Sequence, residues 1–145
     1  MWHCGCNEKR VMVTRRATML GLLVAGAACL GRSVPIPPPE AVVQSVTECP
    51  PARCPDGGVI VRVGGRALEH ALVFAQDVSG PMDPSGQIFP AGSARAGADG
   101  RFEITLGPQL DSMGVVRAVQ RGHLIDVFQV NDSGEVSNTL TLLVR

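Results

Sequence analysis

A chain of 145 residues has room for one ordinary domain. Its residues are 45% hydrophobic, enough for a core, yet only 3% aromatic with no Tyr and one Trp, which counts against a ring-lined platform for nucleic acid or sugar. The whole chain is formally neutral; from Cys29 onward nine Arg face twelve Asp and Glu, a net charge of −3, and an acidic domain lacks the basic footprint that nucleic acid requires. Arg outnumbers Lys twelve to one, the codon usage of a GC-rich bacterial genome.

Arg15 and Arg16 precede an apolar run from Ala17 to Ala28. That run falls short of the roughly 20 residues a membrane-spanning helix needs. A positive start, a short apolar stretch and small residues at its end (Ala25, Gly26, Ala27, Ala28) are the parts of a secretory signal. Residues 1–28 are therefore predicted to be a signal peptide. A buried core helix is excluded because Arg32, Pro35, Pro37, Pro38 and Pro39 follow at once. Met12 is an alternative start, since Cys4, Cys6, Glu8 and Lys9 make an odd preface to such a segment. Thr14-Arg15-Arg16 resembles the twin-arginine export signal, although the hydrophobic pair that follows it is displaced; the Sec route is the alternative. Gly26-Ala27-Ala28-Cys29 resembles the lipobox of bacterial lipoproteins, with Gly26 standing where an aliphatic residue is usual. The resemblance implies a lipid on the Cys29 thiol and a membrane anchor; ordinary cleavage after Ala27 or Ala28 is the alternative. The expected location is the periplasm, the outer membrane or cell surface, or the medium.

Residues 29–57 read as a linker, punctuated by Pro35, Pro37, Pro38, Pro39, Pro50, Pro51 and Pro55. Proline-rich stretches favour extended, semi-rigid spacers. Cys49 and Cys54 lie inside it, and in an oxidising compartment such a pair is expected to form a disulfide. Zinc would require about four ligands, and no second Cys or His pair lies nearby.

From Gly58 to Arg145 the hydrophobic period is two. Val59, Val61 and Val63 form one alternating set; Phe102, Ile104 and Leu106 another; Leu140, Leu142 and Val144 a third. Further runs are Ala71–Gln76, Val115–Gln120 and Leu124–Val130. Gly64-Gly65, Asp99-Gly100, Arg121-Gly122 and Asp132-Ser133-Gly134 supply the turns. Asp99-Gly100 is a tight-turn pair in which Gly takes a positive φ, and Gly65 permits close backbone approach. Six to seven short strands, each with one polar face, predict an all-β, antiparallel β-sandwich over residues 58–145.

Gly58-Gly-Val-Ile-Val-Arg-Val, Gly65-Arg-Ala-Leu-Glu-His-Ala-Leu-Val and Ala98-Asp-Gly-Arg-Phe-Glu-Ile are similar to the carboxypeptidase regulatory-like domain, with Ala67 where that family usually has Pro. The resemblance implies a transthyretin-like (prealbumin-like) seven-stranded β-sandwich. It implies an accessory or adhesive module, with no catalytic residue carried over.

Few residues suggest chemistry. His123, Asp126 and a serine could form a hydrolytic set, but no nucleophile elbow is present. A copper site would need a Cys beside the two histidines, and none lies in this part of the chain. Asp77, Asp83, Asp99 and Asp132 could bind calcium, yet turn chemistry explains each of them. No catalytic residue, metal or cofactor is therefore expected. The longest irregular stretch, Ser79–Gly97, carries Met82, Ile88 and Phe89, which could cover a sheet edge, contact a protein partner or be disordered. The expected function is a non-catalytic module for protein interaction or envelope structure, its protein partner unidentified. The alternative is a transthyretin-like small-ligand carrier or hydrolase, which a pocket lined by His70, His123 and arginines would favour.

Overall fold

The computed structural model describes residues 34–145. The predicted signal segment and Cys29 lie outside the described residues. Those described form nine strands: β1 (Glu40–Glu48), β2 (Val59–Arg66), β3 (Leu72–Asp77), β4 (Ala91–Arg95), β5 (Arg101–Leu106), β6 (Gln109–Leu110), β7 (Val116–Arg117), β8 (Leu124–Val130) and β9 (Leu140–Leu143). They make three sheets, ordered β1-β2-β5, β4-β3-β8-β9 and β6-β7. Every pairing is antiparallel, so the all-β, antiparallel expectation holds.

The strand count is nine rather than six to seven, and the additions have physical reasons. β1 lies in the stretch read as linker. Prolines crowd both its sides, but Glu-Ala-Val-Val-Gln-Ser-Val-Thr-Glu itself has none and is rich in β-branched residues. It pairs with the whole of β2, with a bulge between Val43 and Ser45. β4 lies inside the Ser79–Gly97 stretch; its small residues show no alternation for a sequence reading to find. The Val115–Gln120 run yields only the two-residue β7, opposite β6, and an isolated bridge from Val119 to Val59.

The alternating pattern decides which side chains turn inward. Val59, Val61 and Val63 of β2, Phe102, Ile104 and Leu106 of β5, Val73 and Ala75 of β3, and Ile125 and Val127 of β8 form one buried cluster contributed by both larger sheets. Close approach depends on small residues. A Cβ at Gly65 would fall 1.8 Å from the Glu40 carbonyl oxygen, so only glycine lets β1 begin its pairing there. Gly100 has φ 76°, as the Asp99-Gly100 turn requires.

The register gives the two larger sheets two common ends. Arg66 pairs with Glu40 and Arg101, and Leu72 with Arg95 and Val130, and the turn 67–71 joins them at one end. The starts of β2 and β8 and the finish of β3 lie at the other. Gln129 closes the first end from inside. Only 1% exposed, it accepts a hydrogen bond from the Leu68 N–H (2.8 Å) and donates one to the Pro37 carbonyl (2.8 Å). Gln129→Leu would strand both main-chain groups. It is expected to lower stability by about 1–3 kcal/mol, read as an earlier urea midpoint with an unchanged slope.

Candidate functional site

The second end carries the polar groups of interest. In β3 the inward row runs Val73, Ala75, Asp77. Asp77 stands opposite Ile125 of β8, and His123, two residues before Ile125, is its diagonal neighbour on the same face. Asp77 is 1% exposed in its side chain and His123 24%. His123 Nδ1 lies 2.6 Å from Asp77 Oδ2, while the Ser79 N–H donates to Asp77 Oδ1 at 3.0 Å. The buried carboxylate orients the imidazole, and the short contact suits a ring proton on Nδ1. The Gln120 N–H also donates toward this nitrogen, at a longer 3.3 Å, a bond open only to the tautomer without a proton on Nδ1. Nε2 has no hydrogen-bond partner among the described residues and is not sealed from solvent.

The ring opens onto a cleft of about 300 Å³, lined among others by Phe89, Val116, Arg117, Gln120 and Asp56. Its walls are held by two buried aspartates. Asp83, in the segment between β3 and β4, accepts the Ser85 N–H (2.7 Å), the Ser112 N–H (2.9 Å) and the Ser112 hydroxyl (2.7 Å). These bonds, led by those from Ser85 and then Ser112, hold its carboxyl well below the usual range. Asp111, in the β6–β7 turn, accepts the Met113 and Val115 N–H groups (2.9 Å each) and Arg117 Nε (2.8 Å). The Val115 N–H contributes most to lowering its pKa, against burial, with Arg117 next among the lowering contacts. The segment after β3 and the β6–β7 turn are therefore joined through Asp83 and Ser112.

The residues singled out from sequence are dispersed. The sulfurs of Cys49 and Cys54 lie at bonding distance, 2.09 Å, between β1 and β2. Met82 is 72% exposed, whereas Ile88 and Phe89 are half-buried and Phe89 lines the cleft. His70 sits in the β2–β3 turn at φ 58°, at the opposite end from His123, so the set of His70, His123 and arginines is not assembled. Asp126 does not reach His123. Three residues along a strand put the two on opposite faces, and Asp126 instead accepts the Thr141 hydroxyl at 2.7 Å. Asp77, Asp83 and Asp99 each accept the N–H two residues on, which is turn chemistry. Among the described residues no three His, Cys, Asp or Glu side chains gather as metal ligands. Asp77 as the partner of His123 was missed by sequence reasoning; the available signal was a carboxylate at the inward end of an apolar row, which needs a hydrogen-bonding partner.

Two outcomes follow from these contacts. The folded-state pKa values of Asp83 and Asp111 are depressed, so their contribution to stability is present above the unfolded value near 4 and is lost as pH falls toward the folded values. Asp83→Asn and Asp111→Asn are expected to flatten that acid loss in urea titrations repeated from pH 6 downward. Opening the six-residue Cys49–Cys54 loop by replacing both cysteines with Ser is expected to cost about 2 kcal/mol, with the far-ultraviolet circular dichroism of the fold retained.

Comparison with family models, curated proteins and solved structures finds no match to this chain.

Proposed function

We propose that this chain is an exported, envelope-anchored module of the carboxypeptidase regulatory-like type, acting through protein contact or as a structural element rather than through a reaction of its own. The observation that carries this reading is Gly26-Ala27-Ala28-Cys29 at the end of a short apolar run behind Arg15-Arg16. The bonded Cys49–Cys54 pair supports an oxidising compartment. A core shared by β1-β2-β5 and β4-β3-β8-β9 supports a β-sandwich. Exposed Met82, in the segment pinned by Asp83, supports that segment as the place a protein partner touches; methionine adapts to varied apolar surfaces. The small-ligand alternative draws on the cleft at His123.

The anchor is tested by expressing the full chain in a bacterium and analysing the mature N-terminus by mass spectrometry. The expected product begins at Cys29 and carries acyl chains, and Cys29→Ala moves the protein from membrane to soluble fraction. An unmodified N-terminus at Ala28 would refute the anchor.

A further inference from the structure

We infer that the His123 cleft is a binding site for a small neutral alcohol with an apolar body, whose hydroxyl donates to Nε2 of His123. Three observations carry this. First, the polar anchor is preset. Asp77, 1% exposed, lies 2.6 Å from Nδ1 and is itself fixed by the Ser79 N–H. With a single ring proton, held on Nδ1 toward the carboxylate, Nε2 presents a lone pair, and no described residue occupies it. Second, much of the remaining lining is apolar, including Pro81, Phe89, Val115, Val116 and Ala118, around about 300 Å³. That volume is at the lower bound for small-molecule sites. Both walls are tied down, by Asp83 to Ser112 and by Asp111 to Arg117, so binding orders little that is loose.

Third, the charges around the cleft disfavour an anionic ligand. Asp56 and Asp77 oppose an anion, and Arg117 is already neutralised by Asp111. A neutral donor suits the acceptor without desolvating a charge.

Cyclohexanol and its methyl ether are the probes. They share a ring, and only the alcohol can donate. Each is titrated into the ¹⁵N-labelled full-length chain, following the His123 ring nitrogens and the amides of Phe89, Val116 and Gln120. Cyclohexanol is expected to bind with a dissociation constant on the order of 1 mM, as a ligand of so few atoms can. The ether is expected to bind about fivefold more weakly, having lost one hydrogen bond.

Asp77→Asn tests the anchor itself. The Ser79 N–H keeps the amide oxygen on its side, so the amide N–H₂ faces Nδ1 and moves the ring proton to Nε2. The fivefold preference for the alcohol is then expected to disappear while the ring is still bound. An absence of shifts at these residues with cyclohexanol, equal binding of both probes to the unaltered chain, or an unchanged preference in a folded Asp77→Asn variant would each overturn the inference.

Discussion

The structure depends on a core of small, mostly β-branched side chains held between two sheets. Val59, Val61, Val63, Val73, Val119, Val127 and Val144 are all essentially buried, and Phe102 is the one ring among them. Such side chains are short and stiff, so the sheets must come close before apolar contact is complete. Gly92 of β4 shows how close: a Cβ there would lie 2.8 Å from the Ile104 side chain of β5. The larger rings go elsewhere. Phe74 and Phe128 stack across β3 and β8 with centroids 5.2 Å apart, on positions that alternate with the buried ones.

An apolar interior of this kind moves its polar groups to the ends of the strands. The inward row of β8 continues from His123 through Ile125 and Val127 to Gln129, so an apolar pair is bracketed by two polar residues. Each is matched by groups distant in sequence: Gln129 by Leu68 and Pro37, His123 by Asp77. No buried side-chain nitrogen or oxygen among the described residues is left without a partner. The same economy governs the loops. Asp77, Asp83 and Asp99 fold their own turns by accepting the N–H two residues ahead. Asp83 then uses its second oxygen to hold the Ser112 turn 29 residues away.

What the sequence disclosed follows from range. Period-two alternation is a local property, and it located β2, β3, β5, β8 and β9 from neighbouring residues alone. The Asp99-Gly100 turn and the need for glycine at position 65 were equally local. β1 escaped because proline composition on both sides outweighed a proline-free run of nine, and β4 because Ala-Gly-Ser-Ala-Arg offers no contrast between its faces. The candidate site was the least legible. His123 was visible as a residue, but its partner lies 46 positions away. Only the register of β3 against β8 brings Asp77 rather than Asp126 to it.

The segment that leads into β1 and the residues that follow β9 lie at opposite ends of the strands. Pro37 is held by Gln129 at the far end of the strands. The carboxyl-terminal residues return to the His123 end, where Val144 bonds the backbone of Gly122 and His123 and the Arg121 side chain grips the Arg145 carbonyl. The six residues of β3 separate these regions by about 20 Å. A fusion or affinity tag appended after Arg145 therefore leaves the strands at the His123 end, on the side where Arg121 and Arg145 face residues 43–46 of β1.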